Sequence, residues 1–321
     1  MSRLLLLLIK LFLSVALIWY AFSQVDVGAA MTYLGGIPST VIIVALVVLF
    51  SEFFIAALRL RILLHLLGAR CSVIKALDVV MIGSFFSQTL ISFVGGDAMR
   101  IWRIVQANIP VGLAAKGILF DRVAGFVGLM LITVFSLPWL FETVSQPAMR
   151  FGLVVALVAG FGSVFGLFLT ELIPIALRRW RAFRWASELS AVAFAILRSK
   201  SGLLAIVALS VAIHMLNIVA LYLISRGLEM EVSFISMLVL IPPVLLISML
   251  PISVAGWGVR EGAMVVALNL VGAPAHQSLA LSICFGLCLV AISLPGGVLW
   301  FISRRQIPAD SDPATGLSTK N

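Results

Sequence analysis

The sequence predicts an all-α polytopic membrane protein made of two inverted repeats, each with three spanning helices and one broken, re-entrant pair. Composition is the first reason. Of the 321 residues 62% are apolar, against roughly 45–50% in a soluble globular domain. Charged residues make up 11%, less than half of the usual fraction of about 25%. Such a surface cannot stay dissolved in water, and the same numbers exclude a disordered chain, a coiled coil and a disulfide scaffold. The second reason is the length of the apolar segments, and the third is the placement of the basic residues between them.

A spanning helix needs about 20 apolar residues. Leu4–Ser23 meets that length, and Arg3 ahead of its leucine run resembles a signal peptide. No small-x-small cleavage site follows, so it reads as a retained first span. After a loop, Gln24–Pro38, the second span is Ser39–Leu66. Val73–Ala107 is apolar but interrupted near its middle by SFVGGD, which favours two half-helices over one continuous helix. Gly117–Leu140 and Phe151–Ile173 are further spans. Residues 178–200, with arginines among Trp180, Phe183 and Trp185, read either as a helix lying in the cytoplasmic interface or as a topology-setting loop. Gly202–Ser225 is the fifth span. Phe234–Val271 is a second broken region, interrupted by LPISVAGWG, and Ser278–Ile302 is the last span. Residues 1–305 thus form a single membrane domain, and the polar segment 306–321 is expected to be disordered.

Lysine and arginine set the orientation through the positive-inside rule. If both broken regions return to the side they came from, only Arg150, Arg226 and Arg260 of the 22 basic residues face outward. Both termini are then cytoplasmic. The net charge of +9 reports these loops and not a nucleic-acid partner. The two broken regions are also alike, since 91–95 read ISFVG and 252–256 read ISVAG, 161 positions apart. The same offset carries Ser39–Leu66 onto the fifth span and Gly117–Leu140 onto the last. This divides the chain into repeats of about 1–148 and 150–305. An odd number of crossings inverts the second copy, the pattern of secondary transporters.

The candidate chemistry lies in the broken regions. Gly95 and Gly96 are read as a turn that lets backbone approach a ligand, and Asp97 as the N-cap of a half-helix beginning at Ala98. Arg100 and Arg103 share a face of that helix; a helix N-terminus with a nearby arginine attracts phosphate. Arg103 reads better as an interfacial anchor. The second region offers Gly256, Gly258, Arg260 and Glu261 in a similar order. Inverted repeats would bring the two glycine turns together from opposite faces, with an anionic lipid head group passing between them. Asp121 and Arg122 could pair with each other or with Arg100 and Asp97, while Lys116 reads as a membrane-entry charge. Charges at such depth cost about 2.5–3.5 kcal/mol each even on the lenient insertion scale, so they are expected to be functional. Glu52, deep in its span with Arg59 two turns on, is either a proton carrier, with Asp97 as a further relay, or a hydrogen-bonding strut. His214 and Asn217 read as interhelical hydrogen-bonders, and Asp78 either as a site residue or as a cap.

Cys71, Cys284 and Cys288 form no C-x-x-C pair and read as small hydrophobes. No metal or cofactor is expected. No nucleotide-binding motif is present, so any pumping draws on an ion gradient or the substrate equilibrates passively.

At these residues the chain resembles a known family. GGDAMRIWRI (95–104), followed by KGILFDRVAGFVGL (116–129), resembles the flippase-type transmembrane region of lysylphosphatidylglycerol synthetases. ISVAGWGVREGA (252–263) is similar to the family's second signature and LPGG (294–297) to its ending, so that the resemblance covers roughly 5–305. It implies an inner-membrane protein that moves anionic, aminoacylated or polyprenyl-linked lipids between leaflets, beside lipid-biosynthesis enzymes. It also implies that Gly95, Gly96, Asp97, Arg100, Asp121, Arg122, Gly256, Gly258, Arg260 and Glu261 form the site. The chain departs from bifunctional members by ending after the membrane region, so lysyl transfer is not expected. It also replaces the proline before the first double glycine by Ser92-Phe93-Val94. The expectation is a lipid flippase or transporter and not an enzyme. The alternatives are a membrane glycosyl- or acyl-transferase using Asp97 or Asp121 as base, and an accessory subunit of a glycolipid or hopanoid pathway.

The topology is open to a labelling test. Single cysteines at Gly28 and Ala273 are expected to react with an impermeant reagent from outside and one at Ala107 only after permeabilisation; external labelling at Ala107 would overturn the arrangement.

Overall fold

The computed structural model describes residues 27–89, 93–169, 181–249 and 257–304, and among them the chain forms eleven helices and no strand. In order these are α1 (Val27–Gly36), α2 (Ser39–Leu66), α3 (Val73–Thr89), α4 (Phe93–Val105), α5 (Val111–Thr143) and α6 (Pro147–Leu169). They continue with α7 (Arg181–Arg198), α8 (Lys200–Gly227), α9 (Phe234–Ser248), α10 (Val259–Asn269) and α11 (Ala275–Arg304). Five of them (α2, α5, α6, α8 and α11) are long and apolar enough to cross a membrane. The expected span Leu4–Ser23 and the expected tail 306–321 lie outside the described residues.

Span α2 has the bounds read from the sequence. Gln24–Pro38, expected as a loop, instead carries helix α1, whose Tyr33 ring stacks on His276 at the start of α11, 5.2 Å between centroids. Its ten residues are too few to register as a span, and it is held by that packing. Both broken regions are pairs of helices, α3–α4 and α9–α10. In the second pair, Gly258 adopts φ +86°, a left-handed conformation that favours glycine. Its N–H donates to Glu261 Oε2 at 2.6 Å, so the carboxylate three residues on satisfies an otherwise orphaned donor at the start of α10.

The first pair differs from expectation. Helix α4 begins at Phe93, not Ala98, so Gly95 and Gly96 lie within its first turns and Asp97 is an interior residue instead of an N-cap. Gly96 serves packing: a Cβ there would stand 2.8 Å from the Gly83 carbonyl oxygen on α3. Asp78 likewise sits inside α3 and caps nothing.

At the centre α2 packs along α8, two helices of 28 residues each. The hairpin α3–α4 lies against α11, and the hairpin α9–α10 lies against α5. Each hairpin also contacts the long helix that follows it in its own half of the chain, α4 with α5 and α10 with α11. Helices α2 and α8 start 161 residues apart, as do α3 and α9, and α5 and α11 end 161 residues apart. Outward from this core, Phe135, Val158, Leu204 and Phe301 are all exposed, an apolar belt that only hydrocarbon can cover. Ala273, chosen above as a label site, is 6% exposed, and the neighbouring exposed Pro274 is the better reporter.

The LPGG sequence closes this packing. A Cβ on Gly297 would lie 2.7 Å from the Phe85 ring, and one on Gly296 would fall on the Met81 backbone. Small residues are what lets membrane helices approach so closely. Gly296→Val is expected to lower stability by roughly 1–3 kcal/mol through overpacking, read as earlier thermal unfolding in detergent. Gly35→Ala, with open space around it, should leave the transition where it is.

Candidate functional site: a buried arginine–aspartate network

Five of the charged residues meet where α2, α4 and α5 converge. Arg59 of α2, 7% exposed, donates through Nε to Asp121 Oδ1 of α5 at 2.8 Å and through Nη1 to Ser210 Oγ of α8 at 3.1 Å. It thereby ties three helices. Arg100 of α4 approaches the other oxygen of the same carboxylate, Nη1 to Asp121 Oδ2, at 3.5 Å. One helical step on, Arg122 grips Asp97 of α4 with Nε and Nη2 at 2.9–3.1 Å. The pairing of Asp121 and Arg122 with Arg100 and Asp97, one of two options in the sequence, is the one found.

Why this arrangement forms is visible in the helix geometry. Adjacent residues on α5 point about 100° apart, so Asp121 turns inward to Arg59 while Arg122 reaches sideways to α4. Gly83 on α3 makes room for the Arg100 side chain, which occupies the space a Cβ there would need. Gly125, one turn after Asp121, lies beside Arg59 with room for a methyl group at 3.5 Å from Nη1. Ion pairs at this depth are held by the high penalty of leaving either charge alone.

A cavity of about 240 Å³ opens onto the network, lined by Glu52, Arg59, Arg100, Asp121, Arg122 and His214. It is smaller than a typical small-molecule pocket of about 300–1,000 Å³; it suits a head group and not a whole lipid. Two of its polar atoms, Arg100 Nε and Glu52 Oε1, are buried without a protein hydrogen-bond partner. His214 bonds the Gly125 carbonyl across to α5 at 2.8 Å, the interhelical role expected of it. Asn217 donates to Ile213 O of its own helix at 3.0 Å, and its side chain also reaches Glu52 of α2.

Other charges are placed elsewhere. Asp78 binds Arg103 at 2.7 Å and Lys75 at 3.3 Å, clamping the α3–α4 hairpin, so Arg103 is a hairpin strut and not only an interfacial anchor. Lys116 at the start of α5 pairs with Glu188 of α7 at 2.7 Å. Helix α7 buries Leu189, Ala193 and Ile196 against Leu63, Phe120 and Ile206; Trp180 and the side chains of residues 181–186 lie outside the described residues.

The second signature makes its own cluster. Arg260, 5% exposed, donates to Glu261 Oε1 at 2.8 Å and to Ser282 Oγ of α11 at 3.1 Å, and its guanidinium lies 4.9 Å from the Trp257 ring. Ser282 in turn donates to Glu261. Gly256 lies outside the described residues. Arg59 was not anticipated as the partner of Asp121, nor Ser210 as an acceptor for Arg59; the available signal was a charge seven residues inside the end of a span, which has the same look as a loop cation.

The family model described as lysylphosphatidylglycerol synthase TM region matches residues 7–297. The chain belongs to that family, and it is an integral membrane protein. No curated protein matches it.

Removing one partner of a buried ion pair leaves the other uncompensated and costs about 3–5 kcal/mol. Asp121→Asn is therefore expected to destabilise strongly, whereas the double replacement Arg59→Met with Asp121→Leu should recover much of the loss; thermal unfolding of the three proteins checks this.

Proposed function

We propose that this member of the lysylphosphatidylglycerol synthase transmembrane-region family moves an anionic, phosphate-bearing lipid between the leaflets of a bacterial-type inner membrane. The observation that carries the reading is Arg100: a guanidinium facing a half-open cavity, in the loosest ion pair of the network, with one N–H that has no protein acceptor. Around it, Arg59, Arg100 and Arg122 face Asp97 and Asp121, an excess of positive charge suited to a phosphodiester monoanion.

In this mechanism the phosphate enters the cavity and accepts from Arg100 and Arg122, a planar donor geometry that matches its oxygens. Arg59 retains Asp121, so the carboxylate is never left alone when Arg100 turns to the ligand. Gly96 lets α4 sit close enough to α3 for Arg100 to reach the cavity. Gly256, Gly258, Arg260 and Glu261 complete the path from the second half. Glu52, whose carboxyl has Asn217 as a side-chain partner, carries the proton that couples transport to a gradient; Asp97, bound by Arg122 through both oxygens, stays ionised and takes no part in the relay. Because guanidiniums engage both Asp97 and Asp121, neither is free to act as a general base, and this favours transport over group transfer.

The proposal includes two inverted repeats with re-entrant hairpins and cytoplasmic termini. The shared 161-residue spacing of helix ends and the exchange of hairpins between halves support it, as does the charge distribution. Rocking of one repeat on the other would then expose the network to each face in turn. A lipid-biosynthesis enzyme acting beside the protein fits the same scheme.

Purified protein in vesicles carrying fluorescent phosphatidylglycerol or phosphatidylcholine, read with a membrane-impermeant quencher, tests the reading. Faster leaflet exchange of the anionic lipid is expected, reduced at least about tenfold in Arg100→Ala, the scale of one charge-assisted hydrogen bond. Exchange no faster than in empty vesicles, with and without a pH gradient, would sink it.

A further inference from the structure

A second cavity, of about 490 Å³, runs between α5, α6, α9 and α10. Its walls include Phe126, Met130, Leu153, Val244, Ile247 and Val266, and the single charged residue of its lining is Arg150. Val266 and Ile247 are half exposed, so the groove opens sideways toward the bilayer. From Phe126 to Val144 it follows α5 for about 27 Å at 1.5 Å per residue, close to the hydrocarbon thickness of a bilayer, about 30 Å. Its inner end adjoins the polar cavity: Gly125 lines one and Phe126 the other, and on the α9 side Met249 lines one and Ile247 the other. At its far end the Arg150 guanidinium donates to the carbonyls of Val144 and Phe141 through Nε and Nη2, while Nη1 makes no hydrogen bond among the described residues.

We propose that this groove holds an acyl chain of a phospholipid, and that Arg150 is a phosphate station at the end opposite the arginine–aspartate network. The groove's contents and the network's contents are then two parts of one molecule, so this inference deepens the transport reading and rests on it. A phospholipid carries its phosphate at one end only, so an apolar trench with a cationic group at each end fits an anionic lipid that docks its head group at the network in one position and at Arg150 in another. Gly152 and Gly262 line it with open space around both, so a side chain built there projects into the groove without striking the protein.

The test uses the full chain in vesicles containing two probes with the same acyl chain bearing a terminal diazirine, phosphatidylglycerol and diacylglycerol. Photolysis followed by peptide mapping is expected to place phosphatidylglycerol adducts on groove residues of α6 and α10. Capture should exceed that of diacylglycerol several-fold and fall to the diacylglycerol level in Arg150→Gln. Gly262→Phe, which exchanges a helical glycine for a residue of higher helix propensity, should remove groove adducts at least fivefold and leave thermal stability intact. Adducts spread over Phe135, Val158 and Leu204 with none in the groove would overturn the chain site. Crosslinks to a second copy across the groove would do the same, and equal capture of both probes would overturn the phosphate station. Groove adducts without leaflet exchange would sustain the site while removing the transport function, so the two failures are distinguishable.

Discussion

The ion pair between Arg59 and Asp121 is the constraint around which the charged interior is arranged. Its 2.8 Å contact joins the long helices α2 and α5, and the second arm of Arg59 reaches Ser210 on α8. A charge at that depth is tolerable only while paired, so the three helices must meet with these atoms in register. The α2–α8 pairing at the centre of the molecule, the small residue at Gly125 and the nearby His214 bond all follow that register. Once Asp121 is committed to Arg59, its second oxygen is left facing Arg100 at a longer distance, and the cavity is built on that looser contact.

Glycine accounts for both what the sequence disclosed and what it concealed. Interruption of two apolar regions by glycine and proline correctly announced two helix pairs, because a continuous helix through those stretches is unfavourable. The same residue type at Gly95 and Gly96 was read as a turn, yet both lie in helix α4, and Gly96 serves its contact with α3. At Gly96 and Gly258 a side chain is unwelcome, whereas at Gly35 and Gly262 there is open space for one. Whether the obstacle is a backbone angle, as at Gly258, or a neighbouring helix, as at Gly96, is decided by the partner element, which no local pattern contains.

Charges follow a similar division. That Asp97, Arg100, Asp121 and Arg122 belong together was legible, since four charges in apolar surroundings need one another. Arg59 was not, because proximity to a span's end gives the same sequence signature as a loop cation, and the difference depends on Asp121, 62 positions away. The groove and Arg150 were also out of reach of sequence: its lining recurs at helical spacing on α6, α9 and α10, but those helices are largely apolar all round, so the pattern does not mark which face meets the groove. Helix α1 escaped for a simpler reason, being shorter than a membrane span while resting on a neighbour that local patterning does not name.

The two signature clusters place acid and base differently, and this sets how each responds to movement. Positions 121 and 282, 161 apart, hold an aspartate in one half and a serine in the other. In the first half the acid sits on the long helix and Arg100 must reach it from α4; in the second the acid has moved to Glu261, beside Arg260 on the same short helix. Sliding a hairpin along its long helix by a few ångströms would part Arg100 from Asp121 but would carry Arg260 and Glu261 together. The same displacement would thus cost the first half an ion pair, and the second only its bonds to Ser282.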